Sequence, residues 1–331
     1  MMNVSSSTTR PLELPQMVGR NRSRLSYTIL AVAPLMAAVG LWVGTPLLVT
    51  LSFAALWAMF AIGFDIFSGY TDRINMGYAM FPGIAGYTSA ILSVKFGIAP
   101  WLSAPAGVLM AVFLAALLGA MTLRIQGTYF ALATAIVPMA FYQLVHIFDR
   151  FFGGEEGIYG VPAFFADQTR DFMLICSFLF VVGGGALWYV NSKAGIALRA
   201  IKGGELTAKA LGVDTFRHLM VAFLISALIG GVAGACFAHF QMFIGPEIFF
   251  IVATLQIVTF AQVGGPGTIV GPMIGAILLT LVNENLREIA EIRLLAYFVG
   301  LVFLLRFFPD GLIVPLLKQI GQTFRRSKEK K

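Results

Sequence analysis

The chain has 331 residues, of which 58% are hydrophobic and 12% are charged. One soluble core has too little volume to bury so many apolar residues, so the composition excludes an ordinary water-soluble enzyme or binding domain. The net charge of +7 does not indicate a nucleic-acid partner, because the charges lie at the two ends and in short loops rather than on one basic face. We predict an all-α polytopic membrane protein.

Apolar runs predict about ten transmembrane helices, with eight or nine as the alternatives. The runs cover residues 27–43, 46–66, 77–94, 100–123, 128–148, 172–190, 218–244, 250–263, 267–283 and 294–314. A spanning helix needs about 20 apolar residues, so the short run at 250–263 is a candidate for a re-entrant segment. The predicted organisation is a tail at 1–26, a transmembrane domain at 27–314 and a basic tail at 315–331.

Residues 191–217, called the basic loop below, form the largest positively charged interruption between apolar runs. Five lysines and arginines stand there against only Glu205 and Asp214. Two short helices are predicted, separated by Gly203 and Gly204, and both carry an apolar side. This pattern is typical of a docking surface for a partner, and equally of an amphipathic element that lies on lipid headgroups or covers the end of the bundle.

The distribution of positive charge predicts the orientation. With the predicted spans, 17 lysines and arginines lie on the side of the basic loop and five lie on the other side. Lysine and arginine collect in cytoplasmic loops, since moving them across the bilayer during insertion is unfavourable. The basic loop and both termini are therefore predicted to be cytoplasmic.

Two clusters of glycine, proline and neutral polar residues interrupt the predicted spans, at 75–87 and 264–276. Small residues let helices approach closely, and broken helices border the permeation route in many transporters. For each glycine alone, close packing of helices is the alternative to a role in the route. For each polar residue, the alternative is a hydrogen bond between helices. The residues predicted to line a translocation path are Asn75, Gly77, Tyr78, Gly83, Gly86, Tyr87, Thr134, Gln241, Gln262, Gly264 and Gly265.

Motifs for catalysis are missing from the sequence. It has no phosphate-binding glycine loop and no nucleophile elbow, and its three histidines lack metal-ligand spacing. Cys176 and Cys236 fall inside apolar runs, so we expect no catalytic residue, metal site or cofactor. Asp65, inside the predicted span 46–66, is a candidate for ion coupling, but only a weak one. A stand-alone ion-coupled carrier nevertheless remains an alternative.

Four strings in order resemble the branched-chain amino acid ABC permeases. Residues 69–87 (GYTDRINMGYAMFPGIAGY) are similar to the family's GYxGxxSLGHAAFxGIGAY, and residues 124–134 to RLRGxYFALxT. Residues 192–213 resemble SxxGRALRAIRxxExAAxxLGI, and residues 264–276 resemble GGxGTxxGPxxGA. The spacing agrees over roughly residues 50 to 310, and the match is best with the M-type, LivM-like subunit.

That resemblance implies a permease bundle in the bacterial inner membrane, part of an ATP-driven importer for branched-chain or related neutral amino acids. Urea and short amides are the alternative solutes. The implied partners are a second related permease of the H type, two cytoplasmic ATPases, a periplasmic solute-binding protein and the lipid bilayer, with no nucleic acid. The basic loop would be the coupling element for the ATPases, with the matching residues Gly195, Arg199, Glu205, Ala208 and Gly212.

The sequence departs from the family pattern where a path would be lined. Asp72 and Arg73 stand where the family often has Gly-Gln, and Asn75 and Tyr78 replace the frequent serine and histidine. These differences leave the solute open.

Overall fold

The computed structural model describes residues 32–40 and 44–285, with Val299 and Arg306 as two further single positions. In this part of the chain, helices form one bundle, and a short strand pair lies at one end. Five helices are long and apolar enough to cross a bilayer by length and composition, namely Thr45–Gly69, Pro100–Thr122, Thr128–Ile147, Gln168–Asn191 and Thr215–Gln241. The chain is therefore a helical membrane protein.

Twelve helices are numbered in chain order over the described residues. They are α1 Val32–Gly40, α2 Thr45–Phe64, α3 Met80–Phe96, α4 Pro100–Thr122, α5 Thr128–Ile147, α6 Asp149–Phe152, α7 Gln168–Asn191, α8 Lys193–Gly203, α9 Glu205–Ala210, α10 Thr215–Gln241, α11 Ile251–Gly264 and α12 Val270–Asn285. Helix α2 continues as a π-helical turn, Asp65–Gly69, and two 3-10 turns cover Gly154–Glu156 and Pro246–Phe249. Strands β1 (Ile158–Tyr159) and β2 (Phe243–Ile244) pair antiparallel, with Ile158 opposite Ile244.

The predicted spans agree well with these helices. The eight spans from 46–66 to 267–283 each correspond to one long helix, with ends that differ by at most four residues apart from the π-helical extension of α2. Helix α1 lies within the span at 27–43. The tails at 1–26 and 315–331 lie outside the described residues, as does the span at 294–314 apart from Val299 and Arg306. A count of ten spans therefore stays a prediction. The strand pair was not predicted.

Helix α2 lies at the centre of the bundle because it is apolar on every side. Such a helix is stable only when it is surrounded by other helices or by lipid. Its residues Ala54, Ala58 and Ala61 are fully buried, and it packs against α7, α10, α11 and α12. The small side chains let these neighbours approach closely.

Helices α3 and α10 complete the core through an even closer contact. A Cβ atom on Gly234 of α10 would overlap the backbone of Pro82 in α3, so only glycine fits there. Gly231 likewise faces Ala111 of α4. Helix α10 continues unbroken from Thr215 to Gln241, and Gly230 and Gly231 within it serve close packing.

Helices α4 and α5 form the periphery of the bundle. Phe113 of α4 and Ile136 of α5 are both 65% exposed, which suits a surface that faces lipid or another apolar subunit. Only a narrow stripe of α5, at Phe130, Thr134, Pro138 and Val145, is buried. Helix α5 is thus attached to the rest of the chain along one edge.

The bundle has two distinct ends. At the first, called the basic end, the basic loop meets residues 65–73, 123–125 and 265–269. At the opposite end, Lys95 donates hydrogen bonds to the carbonyls of Arg150 and Phe151, and the strand pair ties residues 158–159 to residues 243–244. Residues 149–171, called the acidic loop after α5 below, therefore lie at a different end from the predicted coupling element.

Candidate coupling element and translocation path

The basic loop folds into the two short helices that its sequence predicts, α8 and α9. The Ser192 hydroxyl caps α8 by accepting a hydrogen bond from the Ala194 N–H at 3.2 Å. Gly204 separates the helices, and Gly212 ends the pair with a positive φ of 86°, a conformation that favours glycine. The loop is therefore an ordered element.

The apolar side chains of α8 and α9 divide into two sets. Leu198 and Ala208 are buried against the bundle, at 0% and 2% exposure. Ile196, Leu206 and Leu211 instead point outward and are 60%, 76% and 78% exposed. One set attaches the loop to the bundle, and the other leaves an apolar surface uncovered.

Arg73 fastens the loop to the bundle. Its Nη1 donates hydrogen bonds to the carbonyls of Leu123 and Ile125, at 3.0 and 2.8 Å. Its Nη2 forms a salt bridge with Glu205 at the start of α9. Arg73 is only 6% exposed, so these three contacts replace most of its hydration. One side chain thus joins the segment before α3, the connection between α4 and α5, and the basic loop.

Glu205 is held by two cations. Besides Arg73, Lys209 places its Nζ atom 3.1 Å from the Glu205 carboxylate, one turn further along α9. Partial burial acts to raise the pKa of Glu205, but the hydrogen bonds and charges of Arg73 and Lys209 outweigh this effect and hold the pKa below its ordinary value. Glu205 is therefore kept as a carboxylate that binds the bundle.

Lys202 makes a second connection from the loop. Its Nζ donates a hydrogen bond to the Gly69 carbonyl at 2.7 Å, in the π-helical turn that ends α2. In the same turn, the buried Asp65 carboxylate accepts hydrogen bonds from the Gly267 and Ile269 N–H groups, at 2.6 and 3.0 Å. Because π-helical turns often occur at functional sites, this junction of α8, α2 and the loop before α12 is a candidate for transmitting motion.

The structure places all five predicted coupling residues in this element. Gly195 is buried, and a Cβ atom there would overlap the Val190 backbone. Arg199 donates a hydrogen bond to the Val190 carbonyl at 2.9 Å, although much of its side chain is exposed. Glu205 and Ala208 face the bundle, and Gly212 terminates the loop. Their role towards an ATPase stays a prediction.

A cavity of about 230 Å³ lies in the other half of the bundle, between α2, α3, α10, α11 and the turn after β2. Much of its wall is aromatic, including Trp57, Phe60 and Phe237. Gln241 and Glu247 are the side chains with polar groups that can accept hydrogen bonds within it. Such a small, mostly apolar chamber with few polar groups is typical of a small-ligand site.

Only part of the predicted path lies at this cavity. Gln241 lines it. Gly83 and Gly86 lie one layer behind the wall, where a Cβ atom would overlap Phe249 and Ile244 respectively. Gly83 makes room for the turn after β2 and Gly86 for β2 itself, and the path role of all three residues stays a prediction.

Tyr78 and Tyr87 are both buried in the bundle, and their role in a path stays a prediction. The Tyr78 side chain is fully buried, and its hydroxyl occupies the space left by Gly63 on α2 and Gly230 on α10. Neither tyrosine hydroxyl has a hydrogen-bond partner within the described residues. Buried polar groups are normally paired, so these two hydroxyls are exceptions among the described residues.

Asn75, Gly77 and Thr134 meet where the chain enters α3. The Asn75 Oδ1 atom accepts a hydrogen bond from the Gly77 N–H at 3.0 Å and so forms a local turn. A Cβ atom on Gly77 would overlap the Thr134 carbonyl, so α5 approaches this turn closely. The contacts explain why α3 begins at Met80, three residues later than the predicted span.

Gln262, Gly264 and Gly265 lie at the basic end, away from the cavity. A Cβ atom on Gly264 would overlap the Gly271 carbonyl, so α11 and α12 cross backbone to backbone. Gly265 ends α11 with a φ of 104°. The eleven predicted path residues are thus distributed over both ends of the bundle instead of one chamber.

Sequence reasoning did not find a polar cluster at the opposite end. The His239 Nδ1 atom lies 2.6 Å from the Pro162 carbonyl, so it donates, and in the neutral ring Nε2 accepts from the Ser89 hydroxyl at 2.7 Å. Ser103 lies 3.1 Å from Ser89 and extends the cluster to α4. This network holds the acidic loop after α5 against the bundle.

Comparison with known proteins identifies the family. Residues 46–307 match the family described as branched-chain amino acid transport system, permease component. The chain is 28% identical over 293 residues to the high-affinity branched-chain amino acid transport system permease protein LivM of Escherichia coli, which covers 78% of this chain and 68% of that protein. It is 26% identical over 280 residues to LivH of the same species, covering 78% and 91%.

Two more distant similarities are also found. The nucleoside ABC transporter permease protein NupC of Lactococcus lactis is 24% identical over 197 residues, covering 53% of this chain and 61% of that protein. A solved structure of a proposed metal-chelate type ABC transporter, in an inward-facing conformation, has a TM-score of 0.49 and 14% identity, covering 91% of this chain and 99% of that chain. Because the family match extends over nearly the whole described bundle, the chain belongs to the branched-chain amino acid transport system permease family.

Proposed function

We propose that the chain is the membrane-spanning permease subunit of an ATP-driven importer for branched-chain or related neutral amino acids. The family match over residues 46–307 carries this proposal. We further propose that it assembles in the bacterial inner membrane with a second permease of the H type, two cytoplasmic ATPases and a periplasmic solute-binding protein. In this arrangement the basic loop and both termini face the cytoplasm.

The buried carboxylates support a transporter that is powered by partners. Ion-coupled carriers use carboxylates inside the membrane that are free to bind an ion or a proton. Asp65 instead accepts two backbone hydrogen bonds, from Gly267 and Ile269, and Asp171 in the first turn of α7 accepts one from the Phe165 N–H at 2.9 Å. Both carboxylates have structural partners, which favours an external energy source.

The outward surface of the basic loop supports docking to an ATPase. Ile196, Leu206 and Leu211 are exposed next to Arg199, on helices whose other side is fixed to the bundle. Exposed apolar side chains with a basic rim are typical of a protein interface. Closure of the ATPases would then move α8 and α9, and Arg73 and Lys202 would pass that movement to the ends of the bundle helices.

A reconstituted transporter tests the proposal. The chain is co-purified with its co-encoded permease and ATPases and placed in proteoliposomes with the binding protein, and uptake of labelled leucine is measured with and without ATP. We expect ATP-dependent uptake of leucine, isoleucine and valine that excess urea does not reduce. Leu211→Ser in the loop should lower solute-stimulated ATP hydrolysis, whereas Tyr159→Ser, at another exposed position on the opposite end, should not.

The two alternatives make different predictions. A urea or short-amide importer would show ATP-dependent uptake of labelled urea that leucine does not reduce. A stand-alone ion-coupled carrier would accumulate leucine through the purified chain alone, under an ion gradient and without ATP, and Asp65→Asn would abolish that uptake. Either result would contradict the proposed function.

A further inference from the structure

We propose that the cavity between α2, α3, α10 and α11 is a solute-binding chamber in which Glu247 pairs with the ammonium group of an aliphatic amino acid. The inference rests on the proposed function and adds the residue that holds the solute. Glu247 belongs neither to the predicted path nor to the stretches that resemble the family motifs. Its position in the cavity wall singles it out.

The size and wall of the chamber suit a branched aliphatic side chain. Sites for drug-sized ligands have about 300–1,000 Å³, so a chamber of about 230 Å³ fits a smaller molecule. Trp57, Phe60 and Phe237 offer a continuous aromatic surface, and Ile257 adds an aliphatic patch. Contact with these side chains removes apolar solute surface from water, which is the main source of affinity for a leucine-like group.

Glu247 supplies the charge that an ammonium group needs. It lies on the 3-10 turn Pro246–Phe249, and its carboxylate folds over Gly245, where a Cβ atom would overlap the Oε2 oxygen. The residues that line the cavity include no lysine, arginine or histidine, and the ion pairs of the described chain do not involve Glu247. Among the described residues no cation is paired with Glu247, so the ligand itself would bring the cation. Hydrogen bonds between charged groups are stronger than those between neutral groups.

The turn that carries Glu247 is held rigidly. Phe249 is stacked on Tyr87 on one side, with ring centroids 5.5 Å apart, and on Phe141 on the other, 5.9 Å apart. Just before the turn, β2 pairs with β1. A binding group on such a supported turn is positioned before the solute arrives, which lowers the entropic cost of binding.

The chamber lies at the beginning of α3 and α11, and α11 connects it to the basic end. Ala79, just before α3, lines the chamber and donates a hydrogen bond to the Thr254 hydroxyl in the first turn of α11, at 3.2 Å. Helix α11 ends at Gly264, beside the loop whose Gly267 N–H binds Asp65. A shift of α11 driven from the basic loop would therefore change the chamber and release the solute.

Site-specific labelling of the complete transporter in nanodiscs tests the chamber. Ala253→Cys places a thiol in the wall, and Val252→Cys places one at the neighbouring position, which does not line the chamber. Both are made with Cys176→Ala and Cys236→Ala, which remove the native thiols. We expect leucine to slow maleimide labelling at position 253 by at least threefold and to leave position 252 unchanged. Equal rates at 253 with and without leucine would overturn the inference.

The role of Glu247 is tested in the same assay with matched solutes. Leucine and leucinamide, which carry the ammonium group, should protect position 253, whereas 4-methylpentanoate, which lacks it, should not. Glu247→Gln should raise the protecting leucine concentration at least tenfold, and Glu247→Asp should restore part of the protection. Protection by 4-methylpentanoate equal to that by leucine, or unchanged protection in Glu247→Gln, would show that the carboxylate does not hold the solute.

The two levels of the proposal fail in different ways. If the reconstituted transporter imports leucine with ATP while Glu247→Gln leaves leucine protection unchanged, the chamber assignment is wrong and the proposed function stands. If the wild-type transporter imports no branched-chain amino acid, the proposed function itself is wrong, and the chamber assignment falls with it. Because the Glu247 side chain is exposed, Glu247→Gln should fold like the wild type. A measurement of its thermal unfolding temperature checks this.

Discussion

Arg73 Nη2 lies 2.5 Å from Glu205 Oε2, although 132 positions separate the two residues in the chain. The pair joins the segment before α3 to the first turn of α9, and its arginine also holds two carbonyls between α4 and α5. While this salt bridge is intact, a movement of the basic loop must therefore also move the helix termini at the basic end. Together with the Lys202–Gly69 hydrogen bond, this contact links the proposed ATPase docking surface to the helices.

Replacing Arg73 should weaken both the fold and the coupling. Arg73→Ala leaves Glu205 and the carbonyls of Leu123 and Ile125 without their donor, and breaking a buried ion pair costs about 3–5 kcal/mol. Because Glu205 is 18% exposed, we expect about 3 kcal/mol, measured as a lower unfolding temperature in nanodiscs. Solute-stimulated ATP hydrolysis should fall as well.

A double-mutant cycle separates the pair from the other contacts of Arg73. Arg73→Lys keeps the charge but not the fork that reaches three acceptors, so it should recover only part of the stability. The cycle with Glu205→Ala should give a coupling energy of about 0.5–3 kcal/mol between the two residues. Additive effects of the two single variants would show that the pair itself contributes little.

Acid should release the same contact. The pKa of Glu205 is held below its ordinary value, so its carboxylate stabilises the fold above the ordinary glutamate pKa, about 4.3, and this contribution is lost as the pH falls below that value towards the depressed pKa. The unfolding temperatures of the wild type and Glu205→Gln should therefore differ at pH 7 and converge as the pH falls through the depressed pKa. A difference that stays constant with pH would contradict this account.

The helices could be predicted well from the sequence, because the length and apolarity of a segment are enough to identify a membrane-spanning helix. It could not predict which helices form the core. Thr45–Gly69 and Pro100–Thr122 have the same mean hydropathy of 2.1 in their most apolar windows, yet 78% of the first window is buried and only 28% of the second. In a bilayer, lipid and protein interior are equally apolar, so hydropathy does not distinguish a lipid-facing helix from a central one.

The candidate sites were partly predictable for a similar reason. The basic loop carries a local signal, a cluster of charge with helix caps, and its folding was predicted correctly. The pairing of Arg73 with Glu205 depends on tertiary contact between distant segments, and only the departure of Arg73 from the family pattern marked it. Glu247 follows a short strand as an ordinary loop carboxylate would, and its place in the cavity wall becomes visible only in the fold.

The crossing of α11 and α12 should tolerate no side chain. Gly264→Ala forces a methyl group against the Gly271 carbonyl, so we expect a loss of about 1–3 kcal/mol and a lower unfolding temperature. Gly185 on α7 has open space around it, and Gly185→Ala should instead stabilise the helix by up to about 1 kcal/mol. Similar unfolding temperatures for the two variants would contradict the close crossing.

Asp65 should act as a structural cap for the loop before α12. Asp65→Asn replaces one carboxylate oxygen by an NH₂ group, which cannot accept a hydrogen bond from Gly267 or Ile269, so we expect a loss of about 1–3 kcal/mol in stability. ATP-driven uptake should decrease without becoming dependent on an ion gradient. Asp214→Asn is the matched control, because asparagine caps α10 as well as aspartate does.

The orientation of the basic loop decides whether the coupling proposal holds. Leu211→Cys places a thiol on its exposed surface, and Tyr159→Cys places one at the opposite end, in a background without Cys176 and Cys236. A maleimide that cannot cross the inner membrane should label position 159 in intact cells with a permeabilised outer membrane, and position 211 only after lysis. If position 211 were labelled from outside, the loop would face away from the cytoplasm and could not receive force from an ATPase.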